Sequence, residues 1–246
     1  MQMKTVPVVG LRYWIAIAIA SMCGANLGDI IPDTLKLDTG TGLILLTMTL
    51  AGLVLVERVT TKRSETFYWA AILIVRAAAT NIADYAIVGA HFTYLGTWAG
   101  LALAMVILIT LYCVRESRPT NGTLPSADGL YWFTMLTAGT LGTVMADGIG
   151  HAIQPVNVGV PVSALLATLT TLTILRIRNR MASSGAASYW ISIVSIRWWG
   201  TNVGDILAFL LSPPVSAAMT GLTLATLLVL WRTPRTGFPK TQRAKA

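Results

Sequence analysis

The chain has 246 residues, of which 54% are hydrophobic and only 11% are charged, with a net charge of +8. A soluble domain needs roughly a quarter of its residues charged to cover its surface with polar groups. The composition therefore excludes a water-soluble globular protein and indicates a chain that is solvated by lipid.

Eight apolar segments follow one another along the sequence, at approximately 13–31, 43–56, 68–88, 98–114, 131–149, 160–175, 189–211 and 215–231. Their lengths lie near the roughly 20 residues that cross a bilayer as a helix. None shows the alternation of polar and apolar residues that marks a strand of an outer-membrane barrel. We therefore predict an all-α integral membrane protein with eight transmembrane helices.

Basic residues are concentrated on one side of these segments. Of the 18 lysines and arginines, 15 precede the first segment or follow an even-numbered one, whereas Lys36 alone lies in a connection on the other side. Positive residues stay cytoplasmic, so both termini are predicted to be cytoplasmic. The net charge is then a surface for anionic lipid head groups, and nucleic-acid binding is not predicted.

A Tyr-Trp pair opens every odd-numbered segment, and an aspartate follows each tryptophan after fifteen residues. These elements define four two-helix repeats at approximately 12–58, 67–115, 130–177 and 188–232. They form a single membrane domain within 1–246, and 233–246 is a basic cytoplasmic tail. Two helices per repeat give every repeat the same orientation, so we expect parallel repeats around an axis along the membrane normal. The Tyr-Trp pairs are expected in an aromatic belt at the headgroup level.

The arrangement resembles a family of bacterial membrane proteins built from four tandem two-helix repeats, each with a characteristic tryptophan, known as a repeat of unknown function. The resemblance covers 13–231 and rests on the Tyr-Trp pairs and on Asn-x-x-Asp elements such as "TNIAD" and "TNVGD". It implies a multi-pass protein of the bacterial cytoplasmic (inner) membrane, and it implies no activity. Repeat three departs from the pattern, because Val144 replaces the asparagine.

The aspartates are the first candidate functional residues. A carboxylate at the centre of a membrane helix costs about 2.5–3.5 kcal/mol, so these side chains should face a protein interior at one depth. Glycine and alanine beside them predict close helix contact, with the odd-numbered helices inside and the leucine-rich even-numbered helices facing lipid. An asparagine precedes three of the aspartates by three residues, on the same helix face. The predicted ion-binding residues are Asp29, Asp84, Asp147, Asp205, Asn26, Asn81 and Asn202.

Repeats two and four also share the pattern Arg-x-x-x-Thr-Asn-x-x-Asp, which places supporting charge and hydroxyl groups at Arg76, Thr80, Arg197 and Thr201. We expect each arginine to bond to a neighbouring helix or to face a cavity connected to the cytoplasm.

The arginines should keep the aspartates of their own repeats, Asp84 and Asp205, anionic. Asp29 and Asp147 then become the exchangeable pair and the candidate metal ligands. Oxygen ligands suit protons, Na⁺, Mg²⁺, Mn²⁺ or Ca²⁺, so a bound cation is the one cofactor considered.

Three functions are open at this point. The leading prediction is a transporter or channel for a small cation, either protons or a metal ion. The alternative is a non-transporting membrane protein in which the aspartates and arginines form a buried polar network and partners bind the basic face. An integral-membrane enzyme with paired aspartates as acid and base comes third, because no nucleophile or metal cluster accompanies them. The expected partners are the lipid bilayer and anionic lipids, and homo-oligomerisation is left open.

Cysteine labelling tests the predicted topology. In a background that lacks Cys23 and Cys113, an impermeant thiol reagent added to intact cells should modify Lys36→Cys. It should not modify Lys62→Cys until the cells are opened. Modification of Lys62→Cys from outside the cell would show that the predicted orientation is inverted.

Overall fold

A computed structural model describes residues 3–61, 64–115, 127–180 and 185–231. These residues form eight α-helices, which confirms the all-α prediction. Each predicted segment falls within one helix to within a residue, when the π-helical turn that continues α3 is included. The helices are α1 (Leu11–Asp33), α2 (Thr39–Val59), α3 (Thr66–Asp84), α4 (Tyr94–Arg115), α5 (Gly129–Ala152), α6 (Val156–Arg180), α7 (Ala186–Leu211) and α8 (Pro213–Leu230). A π-helical turn, Tyr85–Gly89, continues α3.

Among the described residues, six helices are long and apolar enough to cross a membrane: α1, α2, α3 with its π-helical turn, α4, α6 and α8. The protein is therefore a multi-pass membrane protein. Helices α5 and α7 are also long enough, with 24 and 26 residues, but their sequences are less apolar than those of the other six helices. Both lie inside the bundle, where neighbouring helices rather than lipid surround their polar groups.

The odd-numbered helices form the interior. Helix α1 packs on α3, α3 on α5, α5 on α7, and α7 on α1, so the four make a closed cycle. The even-numbered helices lie outside this cycle, with α2 on α3, α4 on α5, α6 on α7 and α8 on α1. In α2 only Gly42 and Glu57 are buried, whereas 13 residues of α1 are buried. Any internal site must therefore be formed mainly by side chains of the inner helices.

Glycines bring the inner helices into close contact. A Cβ added to Gly24 or Gly28 of α1 would lie 2.6–2.7 Å from side-chain atoms of Arg76 and Thr80 on α3. A Cβ on Gly142 of α5 would lie 2.7 Å from backbone atoms of Arg197 and Trp198 on α7. The backbones can approach this closely because these positions lack side chains.

The two ends of the bundle differ chemically. All four inner helices begin at one end, the tyrosine end, and run to the other, the aspartate end. At the tyrosine end Arg12 pairs with Glu65 and Arg115 pairs with Asp128, each at 2.7 Å. Of the basic residues behind the predicted topology, several lie outside the described residues: Lys62, Arg63, Arg118, Arg232 and those of the tail 233–246.

At the aspartate end, Asp38 is the N-cap of α2. Its carboxylate accepts hydrogen bonds from the hydroxyl and the backbone N–H of Thr41, at 2.5 and 3.0 Å. These hydrogen bonds lower the pKa of Asp38 below its ordinary value. Asp38 is therefore an exposed carboxylate near the end of the bundle that carries Asp29, Asp84, Asp147 and Asp205.

The close packing predicts a difference between two glycine substitutions. Gly142→Ala should destabilise the protein by about 1–3 kcal/mol, because its methyl group would overlap the backbone of α7. Gly100→Ala on α4 is the matched control, since nothing lies within 4 Å of a Cβ added there. Reversible unfolding of both variants in mixed detergent micelles measures the difference. Equal stability of the two variants would show that α5 and α7 pack less tightly than described.

Candidate functional site

A column of mostly polar side chains runs through the centre of the bundle. Starting from its tyrosine, each inner helix contributes a residue at every fourth position, and four-residue steps keep side chains on one helix face. The resulting five layers are the tyrosine layer (Tyr13, Tyr68, Tyr131, Tyr189), the aliphatic layer (Ile17, Ile72, Met135, Ile193), the arginine layer (Ser21, Arg76, Gly139, Arg197), the threonine layer (Ala25, Thr80, Thr143, Thr201) and the aspartate layer (Asp29, Asp84, Asp147, Asp205).

Burial changes abruptly along this column. Every residue of the tyrosine, aliphatic, arginine and threonine layers is buried, whereas all four residues of the aspartate layer are half-buried. The column is therefore partly open at its aspartate end, and the four layers below are filled by packed side chains.

The tyrosine layer is a closed cycle of hydrogen bonds. The hydroxyl oxygens of Tyr13 and Tyr68 are 3.3 Å apart, those of Tyr68 and Tyr131 2.6 Å, those of Tyr131 and Tyr189 3.0 Å, and those of Tyr189 and Tyr13 2.6 Å. Each hydroxyl can donate one hydrogen bond and accept one, so the cycle satisfies all four. Such cycles are cooperative, because every bond polarises the next.

The tryptophans of the Tyr-Trp pairs pack edge-on against their own tyrosines, with ring centroids 5.0–5.3 Å apart. All eight rings are buried inside the protein, at most 9% exposed. The expectation that these pairs face the headgroups as an aromatic belt is therefore wrong. Their rings are packed inside the bundle at the tyrosine end, and the tyrosine hydroxyls face one another.

Arg76 belongs to the arginine layer, and its guanidinium extends to the threonine layer. The side chain is 1% exposed. Its Nη1 donates to the hydroxyls of Thr80 and Thr143 at 2.8 and 3.0 Å, and its Nη2 donates to Thr201 at 2.6 Å. One guanidinium thus ties α3, α5 and α7 together. Arg76 also interacts electrostatically with all four residues of the aspartate layer.

Arg197 has different surroundings, although it occupies the same position in its helix. It is fully buried, and its Nη2 donates to the thioether sulfur of Met135 at 3.1 Å. Met135 belongs to the aliphatic layer, which lies between Arg197 and the tyrosine layer. The side chain therefore extends toward the tyrosine end, whereas the guanidinium of Arg76 faces the threonine layer. Repeats two and four are alike in sequence but place their arginines differently.

The four aspartates interact electrostatically with one another at the mouth of the column. No hydrogen bond or ion pair joins their carboxylates to any of the described residues. Within the same part of the chain, no three His, Cys, Asp or Glu side chains are arranged to hold a metal ion. The carboxylates of this layer are therefore partly exposed and lie close enough to repel one another.

The asparagines lie beside the column, at helix contacts. The amide of Asn26 on α1 donates to the hydroxyl of Ser216 on α8, and that of Asn81 on α3 donates to the backbone oxygen of Gly28 on α1 at 3.1 Å. The amide of Asn202 bonds to the Trp198 oxygen of its own helix at 3.0 Å. These amide N–H groups are engaged with other helices or with backbone, and none of them bonds to the aspartate layer.

Sequence reasoning missed the tyrosine and aliphatic layers as parts of the site, and it missed Thr143. The signal was present, because each aspartate stands sixteen residues, four steps of four, after its tyrosine. Following that spacing on all four helices would have identified every layer.

The first pair of helices matches a known family model. Residues 12–63 match the family described as Repeat of Unknown Function (DUF347), which confirms the resemblance noted above for that part of the chain. No curated protein and no solved structure matches the chain.

The hydroxyl cycle predicts a non-additive series of substitutions. Tyr68→Phe should destabilise the protein by about 1–3 kcal/mol, because Tyr13 and Tyr131 each lose a partner in a buried site. Replacing all four tyrosines by phenylalanine should cost less than four times that amount, since no hydroxyl is then left unpaired. Unfolding in detergent measures both effects, and Tyr85→Phe, at an exposed position, is the control. Additive losses across the series would contradict a cooperative cycle.

Proposed function

We propose that the protein is a transporter for a small cation, in which Asp29, Asp84, Asp147 and Asp205 are the exchange site. One observation carries the proposal: four half-buried carboxylates cluster at the mouth of an otherwise buried column, and none forms a hydrogen bond or an ion pair with a described protein group. Placing a carboxylate in a membrane helix costs free energy. Four carboxylates that form no fixed ion pairs therefore support an exchange role.

In this proposal all eight helices cross the bilayer as four two-helix repeats around an axis along the membrane normal. The tyrosine end is cytoplasmic and the aspartate end faces the opposite side of a bacterial inner membrane. The described basic residues at helix ends support this orientation, since Lys4, Arg12, Arg58, Arg115 and Arg180 all lie at the tyrosine end. Positive residues near helix ends remain cytoplasmic.

The column supports a transporter rather than an open channel. Below the aspartates, the threonine, arginine, aliphatic and tyrosine layers are all buried. A cation bound at the mouth cannot continue unless these layers separate. Movement between an aspartate-end-open state and a tyrosine-end-open state is therefore required, as in alternating access.

Among small cations, the geometry favours protons. A protein-held metal ion needs several oxygen ligands at about 2.0–2.6 Å from one point. The described residues offer no such group of three acidic, histidine or cysteine side chains. A proton needs only one carboxylate, and each aspartate of the layer is partly exposed. Asp29 and Asp147, considered above as metal ligands, are better suited to this role.

A non-transporting role competes with this proposal, because Arg76 hydrogen-bonds to three threonines on three helices. A network of this kind fixes the positions of helices even in a protein that moves nothing. The two functions differ in what the aspartates do. A structural network tolerates neutral aspartate analogues at the water-accessible mouth, whereas an exchange site does not.

Flux measurements separate the two functions. Purified protein is reconstituted into liposomes that carry a pH-sensitive dye, and proton movement is followed under an imposed potential, with Na⁺, Mg²⁺ and Mn²⁺ gradients tested in parallel. Asp147→Asn and Asp29→Asn should abolish the flux while melting near the wild-type temperature. Asp38→Asn, an exposed aspartate at the same end, should leave it unchanged.

Two results would overturn the proposal. The first is a wild-type protein that moves none of these cations in either direction of the gradient. The second is a flux that persists at the wild-type rate when all four aspartates of the layer are replaced by asparagine.

A further inference from the structure

An open groove lies on the outer surface of the bundle between α1 and α8. Its volume is about 590 Å³. Ile19 forms its α1 side, and a stripe of α8 that includes Leu222, Thr226 and Leu230 forms most of the rest, with Trp231 at the end of the stripe. Four-residue steps keep these α8 side chains on one helix face. Leu222 and Leu230 are exposed, so the groove faces outward, away from the inner helices.

The groove extends to the tyrosine end of the bundle. Asn26 of α1 hydrogen-bonds to Ser216 of α8, and a Cβ added to Gly221 would lie 3.5 Å from the sulfur of Cys23. Higher residue numbers on α1 thus meet lower numbers on α8, so the two helices are antiparallel. Because α1 begins at the tyrosine end, α8 ends there, and Trp231 marks that end of the groove.

The length of the groove matches one leaflet of a bilayer. Leu222 and Trp231 are nine residues apart, which corresponds to about 14 Å along a helix. Half of a hydrocarbon core that is about 30 Å thick measures about 15 Å. The groove therefore spans the depth of the leaflet at the tyrosine end.

The wall of the groove offers hydrocarbon surface. Leucine and isoleucine side chains make up most of it, and the hydroxyl of Thr223, also in the wall, donates to the backbone oxygen of Met219 at 2.8 Å. An ion or a polar molecule would find few partners there. A hydrocarbon chain in a groove gains dispersion contacts on several sides, whereas a chain on a flat helix surface gains them on one side.

Positive charge follows the groove at its tyrosine end. Trp231 stands there, and tryptophan favours the headgroup level of a bilayer. The sequence continues with Arg232, and 232–246 contains five basic residues and no acidic one. Basic segments directly after a transmembrane helix attract anionic lipid head groups. An occupant with an apolar chain and an anionic head group therefore matches both the groove and the sequence that follows it.

We propose that this groove binds one acyl chain of an anionic phospholipid from the leaflet at the tyrosine end. The chain lies between Ile19 and the α8 stripe, and the head group lies at the level of Trp231, next to the start of the basic tail. The site goes beyond the proposed cation transport, because it uses none of the aspartates and its test needs no ion gradient.

Lipid retention by the purified full-length protein in detergent tests the site. Delipidated protein is titrated with phosphatidylglycerol and, separately, with phosphatidylcholine that has the same acyl chains. Native mass spectrometry counts the bound lipids. One tightly held phosphatidylglycerol per chain is expected, with at least tenfold weaker binding of phosphatidylcholine. The melting temperature should rise by several degrees with phosphatidylglycerol, since a ligand that binds only the folded state stabilises it.

A matched pair of substitutions locates the acyl chain. Thr226→Trp fills the groove and should weaken phosphatidylglycerol binding at least tenfold. Thr110→Trp is the control, because it places the same side chain at another exposed threonine, at a similar distance from the end of α4. That variant should bind the lipid as the wild-type protein does.

Two further measurements strengthen the test. A phosphatidylglycerol with a photoreactive acyl chain should cross-link wild-type protein within 222–231 or at Ile19, which locates the chain even if Thr226→Trp fails to fold. The double variant Arg232→Gln, Arg235→Gln should lose most of the preference for phosphatidylglycerol while its affinity for phosphatidylcholine stays the same.

Three results would overturn the inference. The first is equal, unsaturable binding of the two lipids by the wild-type protein. The second is undiminished phosphatidylglycerol binding by Thr226→Trp, or cross-links that lie elsewhere. The third is a lipid-free dimer that Thr226→Trp dissociates, which would assign the groove to a second copy of the chain.

Discussion

The hydrogen bonds of Arg76 to three threonines are the interaction on which the interior of this protein depends. Hydrocarbon offers no water, so a guanidinium inside a bilayer must find its acceptors and its counter-charge within the protein. Arg76 finds hydroxyls on α3, α5 and α7 and carboxylates at the end of the same column. The Arg76 side chain thereby links α3, α5 and α7 at their observed spacing. The more polar helices α5 and α7 are members of the cycle of inner helices, so their polar groups meet other helices.

Tight contact between the inner helices makes the bridge possible. Gly24 and Gly28 admit the side chains of α3, and Gly142 admits the backbone of α7. A larger residue at any of these positions would push the helices apart and lengthen every bond across the column. Small residues are thus as important to the polar column as the polar residues, although they carry no chemistry themselves. The outer helices complete the structure by presenting apolar side chains outward, as the sparse burial of α2 illustrates.

The four inner helices are arranged almost regularly, but the side chains that they place in the column are not the same on every helix. The tyrosine and aspartate layers have the same residue on all four helices, whereas the arginine layer has serine, arginine, glycine and arginine. Two helices contribute an arginine to this layer, and the two side chains extend in opposite directions along the column, so the charge is distributed unevenly. The guanidinium of Arg76 lies toward the partly exposed aspartate end, and that of Arg197 lies toward the buried tyrosine end. The proposed transporter, which would open alternately at its two ends, needs such a difference between them.

The sequence by itself determined the membrane class, the eight helices and the positions of the four aspartates. Hydrophobicity over about 20 residues is a local property, and the fifteen-residue spacing from each tryptophan is visible without any structure. The sequence also predicted that glycine-rich faces lie inside. It placed the Tyr-Trp pairs wrongly, because a tyrosine near a helix end has the same local sequence whether it faces headgroups or another tyrosine.

Only the tertiary structure decided the partners. Arg76 and Arg197 lie in identical local motifs, yet one bonds to Thr143 and Thr201 across the bundle and the other extends toward the tyrosine layer. Those contacts join residues that are 62–125 positions apart in the chain. Spacing along a helix fixes which face a side chain occupies, but it does not fix which residue of another helix meets it. That depends on how closely the backbones pack.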